Sequence, residues 1–193
     1  MAARPRRGAS PLVRTRRPSR GTRREPSGTA AIRDWLIARV RGTYARGNWA
    51  GKGALPSFKG VPAEVAHRRH PEQHTIAEIV LHMGYWKDAV TARLTGQPWT
   101  FDNRMNWKAA SPGEVGWSQA KDELAAAQRR LVAALRGVSP AQLLDRVRGR
   151  VRLIDLITDI ATHDTYHAAQ IFVLRRLPPP PSADRFPAGS VET

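Results

Sequence analysis

Cysteine is missing from the sequence altogether. Its absence excludes disulfide bonds, thiolate metal ligands and a cysteine nucleophile. If the protein takes part in thiol chemistry, a small molecule must therefore supply the sulfur atom.

Long apolar runs are missing as well. No stretch approaches the roughly 18 consecutive apolar residues that a membrane-spanning helix needs. The basic N-terminus is not followed by the apolar segment that a secretory signal peptide requires. We therefore expect a cytoplasmic protein that has no membrane partner.

Acidic residues are scarce, with 16 Asp and Glu against 32 Lys and Arg. Residues 1–28 hold nine of the arginines and one acid, so half of the net charge of +16 lies there. Because this segment has almost no large apolar residue, it cannot offset its ordering entropy, and we expect disorder. It is interpreted as a polybasic arm for nucleic acid or an acidic partner, as a transit peptide, or as translation from too early a start codon.

The C-terminal end forms a second tail. Pro178 to Pro181 cannot continue a helix and are expected to run as extended polyproline. The chain therefore divides into a basic tail (1–28), one folded domain (29–177) and a Pro-rich tail (178–193). A domain of this length can bury a substantial apolar core.

Apolar residues at helical spacing predict four main helices between the tails. They span about 29–44, 75–96, 117–135 and 153–177, and a short helix is expected after Ser139. No convincing β-alternation is present, so the predicted fold class is all-α, an antiparallel four-helix bundle. The apolar face of the first helix is predicted to contain Ile32, Trp35, Leu36 and Val40.

Two histidines, His163 and His167, stand four residues apart in the sequence ATHDTYHAAQ. Residues at this spacing lie one turn apart on the same face of a helix, where two imidazoles can bind one metal ion. The pair alone is also compatible with two ordinary polar residues on a helix surface.

Other polar residues share the same arc of the fourth helix. Asp159 is placed to accept a hydrogen bond from the second ring nitrogen of His163, as metal-bound histidines usually require. Tyr166 and Gln170 are placed to reach a ligand or a water molecule. These three residues are therefore candidates for the second shell or for substrate contacts.

The best third ligand is His82, which lies at the edge of the apolar stripe of the second helix beside Trp86. Trp86 is itself a candidate for the second shell or for substrate contacts. Its alternative role is a histidine at the core edge that bonds to a backbone carbonyl. Glu78, one turn before His82, is either a second-shell residue or half of a capping box with Thr75, and the capping box is favoured. His74 is a weaker candidate ligand because it precedes the helix cap.

Two helical motifs together resemble the DinB/YfiT-like superfamily of metalloenzymes. They read HTIAEIVLHMGYWKDAVTARLTG and DLITDIATHDTYHAAQIFVLRR. The resemblance implies a four-helix bundle with a long crossover and a metal site formed by His82, His163 and His167. One departure is Ala169, which stands where many relatives have glycine.

The resemblance also implies a range of activities. Three imidazoles suit Zn or Ni first, with Fe, Mn and Cu as alternatives. One activity is a metal-dependent S-transferase that uses a low-molecular-weight thiol on a small-molecule substrate, and the other is a metal-dependent hydrolase. A homodimer is expected by analogy. A third interpretation is a non-catalytic nucleic-acid-binding protein that uses the basic arm, since phosphate contacts need cations.

Overall fold

The computed structural model describes residues 28–180. The two predicted tails, 1–28 and 178–193, lie almost wholly outside this range. Within it the chain is mostly helical, with two short antiparallel hairpins. The elements are α1 (Gly28–Ala45), β1 (Gly47–Asn48), β2 (Gly51–Lys52), α2 (Ala54–Phe58), α3 (Ala63–Ala66), α4 (Ile76–Leu94), α5 (Asn103–Asn106), α6 (Gly113–Gly137), a 3-10 helix (Ala141–Leu144), β3 (Arg146–Arg148), β4 (Val151–Arg152) and α7 (Leu153–Leu174).

The four long helices, α1, α4, α6 and α7, pack as a bundle. Helix α4 contacts both α6 and α7, and α1 contacts the same two helices. Each long helix therefore buries its apolar stripe against two neighbours, as in other four-helix bundles. This arrangement confirms the all-α fold class.

Helix α4 is the most buried of the four, because almost every residue of its first half is covered. It begins with the predicted capping box: the Thr75 hydroxyl accepts from the Glu78 N–H at 3.2 Å, and the Glu78 carboxylate accepts from the Thr75 N–H at 2.9 Å. These two bonds satisfy amide groups that the helix start would leave free. Beyond its last turn, Gly96 adopts a φ of +67°, which favours glycine.

Helix α6 begins one turn earlier than the predicted residue Trp117. The Trp117 side chain is fully buried, and its indole N–H donates to the Val61 carbonyl at 2.8 Å. Without this bond, burial of the tryptophan would leave its indole N–H without a hydrogen-bond acceptor. Four further apolar residues of α6 at helical spacing are also buried: Ala120, Leu124, Leu131 and Leu135.

Helix α1 corrects one part of the predicted core. Leu36 and Val40 are buried as expected, whereas Ile32 and Trp35 are 44% and 55% exposed. Among residues 28–180, no neighbour covers the turns of α1 that precede Leu36. The Arg39 guanidinium instead lies 5.9 Å from the Trp35 ring centre.

The short helix expected after Ser139 is confirmed as the 3-10 helix Ala141–Leu144, whereas most of the other short elements were not predicted. Hairpins β1–β2 and β3–β4, together with α2 and α5, contain two to five residues each, which is too short for a periodic signal. Hairpin β1–β2 is joined to α7 through the Asn48 amide, which donates to the Thr165 hydroxyl at 3.0 Å. No helix within residues 28–180 combines the length and apolarity that a bilayer crossing requires.

Candidate metal centre

The three predicted ligands lie together where α4 and α7 face each other. His163 Nε2 is 3.1 Å from His82 Nε2 and 3.0 Å from His167 Nε2. His82 and His167 are buried, and His163 is half-buried. The helical spacing of the pair on α7 and the packing of α4 against α7 thus bring three imidazoles to one point, where they could hold a metal ion.

Residues of α5 hold the ring of His82. Its Nδ1 lies 2.9 Å from the Asn106 carbonyl oxygen, which can only accept, so Nδ1 carries the proton. Trp107 stacks on the imidazole with ring centres 3.7 Å apart and planes 5° apart. Because the proton is on Nδ1, the lone pair of Nε2 points towards the other two histidines. Neither the bond to Asn106 nor the stacking of Trp107 was foreseen, since both residues lie at the end of a one-turn helix more than 20 residues from His82 in the sequence.

Gln170 holds the ring of His167 in the same way. Its Oε1 accepts from His167 Nδ1 at 2.6 Å, while its Nε2 donates to the Tyr166 hydroxyl at 3.1 Å. The Tyr166 side chain is 60% exposed, so this chain of bonds leads from the buried cluster to the surface. Gln170 and Tyr166 are therefore outer residues of the cluster, as their positions on the helix indicated.

The partner predicted for His163 is wrong. Asp159 is exposed, and His163 Nδ1 is buried without a hydrogen-bond partner in the part of the chain that the structure describes. Trp86 instead packs near His163 and His82, with its ring centre 6.5 Å and 6.4 Å from theirs. The ring of His163 is therefore held by packing rather than by a carboxylate.

Glu78 belongs to the helix cap and not to the shell of His82. Besides the capping box, its carboxylate pairs with Arg69 and lies 3.5 Å from His74 Nδ1. The pKa of Glu78 is lowered because the Thr75 N–H and the Arg69 guanidinium outweigh its burial. His74 is not a fourth member of the cluster, since it stacks on Trp107 at 3.6 Å, on a ring that also covers His82.

Burial keeps the three imidazoles neutral. The pKa of His163 falls to about 2 and that of His167 to about 4, mainly because a protonated ring would be desolvated there. Neighbouring imidazoles lower both values further. Burial also lowers the pKa of His82, although its bonds to Asn106 oppose the shift. All three rings therefore keep a free lone pair at neutral pH, as a metal ligand must.

The donor set fits one cation. Because Nδ1 is protonated on His82 and on His167, the Nε2 atom of each has a lone pair directed at His163 Nε2. A neutral His163 can offer at most one N–H there, so it cannot donate fully to both neighbours. A metal ion would satisfy all three nitrogens at once. Nitrogens that bind one zinc ion at about 2.0–2.1 Å in tetrahedral geometry lie roughly 3.3 Å apart, close to the two distances seen here.

A comparison with protein families matches residues 49–171 to the DinB superfamily. The match covers more than half of the chain and includes all three histidines. The chain belongs to the DinB superfamily. Comparisons with curated proteins and with solved structures give no significant match.

A buried ion pair lies beside the histidine cluster of this DinB protein. Lys87 on α4 and Asp164 on α7 are both fully buried, with Nζ 2.7 Å from Oδ2. Asp164 follows His163 directly in the sequence, and both side chains contact α4. Burial raises the pKa of Asp164 even though Lys87 opposes the shift. The pair therefore joins the same two helices that supply the three imidazoles.

An apolar cavity of about 450 Å³ is lined in part by Trp86. The ring of Trp86 forms one wall of this cavity and also packs against His82 and His163. A single charged residue, Arg93, lines the cavity. The remaining lining residues are Ala89, Val90, Trp99, Phe101, Val147, Val151 and Leu156.

Proposed function

We propose that this DinB protein is a metal-dependent enzyme that transfers a small thiol to an apolar electrophile. The metal is proposed to bind to His82, His163 and His167. The observation that carries the proposal is the convergence of three neutral Nε2 atoms within 4.8 Å of one another. A divalent ion bound there would lower the pKa of an approaching thiol and so supply a sulfur nucleophile at neutral pH.

The surroundings of the cluster favour a thiol over water as the nucleophile. Hydrolysis benefits from a general base, and the two carboxylates that could serve are occupied or remote. Glu78 caps α4 and pairs with Arg69, and Asp159 is exposed without a bond to His163. A thiol with a pKa of about 8.5 needs a much smaller shift than water with about 15.7. The chain has no cysteine, so the thiol must come from solution.

The cavity beside Trp86 supports an electrophile with an apolar body. Its aromatic walls can exclude water from the body of such a substrate, and Arg93 can pair with an acidic substituent. In the transfer, the sulfur forms a bond to the electrophilic carbon while the leaving group departs with its electron pair. The proton of the thiol passes to solvent. Zn or Ni is proposed as the metal, and a homodimer as the assembly.

Elemental analysis of purified protein tests the metal site. We expect about one equivalent of divalent metal in the wild type and a large loss in the His163→Ala variant. The His67→Ala variant is the matched control, because its Nε2 contacts the Gly113 carbonyl outside the cluster. Equal metal content in the wild type and His163→Ala would exclude this site.

A rate assay then tests the reaction. The metal-loaded protein is mixed with 1-chloro-2,4-dinitrobenzene and, in turn, glutathione, mycothiol, bacillithiol or no thiol. We expect release of chloride that depends on one of the thiols and is lost in His163→Ala. Hydrolysis of p-nitrophenyl acetate without any thiol, lost in the same variant, would instead favour the hydrolase.

A further inference from the structure

A second concave site lies between α1 and α6 and shares no residue with the metal centre. It encloses about 410 Å³, a volume that suits a small ligand. Residues at helical spacing from the two facing helices form its walls. They are Arg41, Tyr44 and Ala45 from α1, and Gln128, Arg129, Val132 and Arg136 from α6.

The charge of this site is not balanced by the protein. Three arginines line it without any acidic residue, and Arg46 lies in an adjoining pocket that shares Arg41. Within residues 28–180 none of these four arginines forms an ion pair, whereas the neighbouring Arg130 makes two hydrogen bonds to Asp88. Like charges gathered around one concavity repel each other, so the site is built to receive an anion.

Gln128 adds a buried acceptor to the same site. Gln128 is 6% exposed, and its Nε2 donates to the Val40 carbonyl at 3.3 Å. Its Oε1 is buried and has no partner among residues 28–180. Buried acceptors in proteins normally receive a hydrogen bond. None of the three arginines at this site donates one to Gln128 Oε1. The ligand should therefore offer a hydroxyl group together with its negative charge.

We propose that this site binds a small phosphorylated molecule that carries a hydroxyl group. A planar guanidinium group can donate two parallel hydrogen bonds to two oxygens of one phosphate. Three guanidinium groups balance the charge of a phosphate dianion better than that of a singly charged carboxylate. Gln128 Oε1 is proposed to accept from the ligand hydroxyl. A nucleic-acid backbone is the less favoured ligand, because it presents an extended row of phosphates, whereas these arginines surround a single concavity.

Calorimetric titration of the full chain with ribose 5-phosphate tests the proposal at a fixed ionic strength of about 0.15 M. We expect saturable binding of ribose 5-phosphate, weaker binding of methyl phosphate, and no binding of ribose. The Arg129→Gln and Arg136→Gln variants should each weaken ribose 5-phosphate binding by about tenfold or more. Arg130→Gln is the matched control, because Asp88 already occupies that guanidinium, and its affinity should stay within about twofold of the wild type.

The Gln128→Leu variant tests the acceptor separately. It should bind ribose 5-phosphate no more tightly than methyl phosphate, while a thermal melt checks that the buried substitution still folds. If Gln128→Leu unfolds, the arginine variants decide the outcome, since their side chains are exposed. The proposal is overturned if the wild type binds neither phosphate, if Arg129→Gln and Arg136→Gln bind as the wild type does, or if duplex DNA competes at lower concentration than ribose 5-phosphate.

Discussion

At the scale of single residues, the three histidines differ in how firmly the protein orients them. His82 donates to the Asn106 carbonyl and stacks on Trp107, and His167 donates to Gln170. Within residues 28–180 His163 Nδ1 has no such partner, so its ring is oriented by packing and by its Nε2 contacts to the other two histidines. A hydrogen bond to the second ring nitrogen fixes the tautomer and orientation of a ligand and raises its basicity. The removal of such a bond should therefore weaken metal binding without removing a ligand.

The Gln170→Ala variant tests this expectation for His167. The substitution frees His167 Nδ1, so either tautomer becomes accessible and the Nε2 lone pair is no longer fixed. We expect the metal affinity to fall by about 10- to 100-fold, measured by competition with a chromophoric chelator.

The Tyr166→Phe variant is the control for Gln170→Ala. It removes the hydroxyl that accepts from Gln170 Nε2 but leaves the bond between Gln170 and His167 in place. We expect its affinity to change by less than about threefold, because an exposed hydroxyl contributes little. If the two variants lose affinity equally, the orienting role of Gln170 is wrong.

The sequence predicted the candidate ligands but only part of their surroundings. A spacing of four residues fixes the direction of His163 and His167 around α7, and the same reasoning placed Gln170 correctly. Asp159 lies in the same arc yet is exposed, because the helical period gives direction and not the cover that a neighbouring helix provides. Asn106 could not be predicted, since its carbonyl reaches His82 across a loop without a periodic signal.

At the scale of helices, the buried pair of Lys87 and Asp164 joins α4 to α7. The energy gained by such a pair barely offsets the removal of two charges from water, so the pair contributes more to specificity than to stability. A single substitution, however, leaves a buried charge without its partner. We expect Asp164→Ala to lower the free energy of unfolding by about 3–5 kcal/mol, measured by urea denaturation.

The double variant Lys87→Met with Asp164→Leu separates stability from positioning. It replaces both charges with apolar groups, so we expect it to recover most of the stability lost in Asp164→Ala. If the pair sets the register of α4 against α7, the double variant should still have a lower affinity than the wild type for Co(II), used here as a probe of the histidine site. Equal stability of the double variant and Asp164→Ala would contradict the account of an unpaired buried charge.

The long helices were predictable because each carries an apolar stripe at helical spacing, and α4 and α6 also have a recognisable start or end. The box of Thr75 and Glu78 located the start of α4, and Gly96 and Gly137 located helix ends. The core position of Lys87 was not predictable, since its partner Asp164 is 77 residues away in the sequence. Such pairing depends on tertiary contacts that no local pattern contains.

At the scale of the whole molecule, the buried neutral histidines make stability depend on pH. Their folded pKa values are lowered, so the unfolded chain binds protons that the folded chain rejects. This stability is present above the ordinary histidine pKa of about 6.5 and is lost as the pH falls towards about 4 for His167 and about 2 for His163. From pH 7.5 to 5.5 we expect the metal-free protein to lose on the order of 1 kcal/mol for each of these two residues.

Urea denaturation of the metal-free protein at the two pH values measures this loss. The variant with both His163→Ala and His167→Ala is the comparison, because every other titrating group is common to the two proteins. Its stability should depend less on pH over the same interval, by roughly the 2 kcal/mol that the two residues contribute together. An equal pH dependence in both proteins would show that these histidines do not couple folding to protons.

The stacking of Trp107 on His82 has an optical consequence. The indole lies 3.7 Å from a proposed ligand, close enough for a paramagnetic ion such as Cu(II) or Ni(II) to quench its fluorescence by contact. Diamagnetic Zn(II) should leave the emission bright, so the two kinds of ion become distinguishable during a titration. Trp107→Phe should abolish most of the fluorescence quenching. The emission of Trp107 would then report how much of the site is occupied by metal.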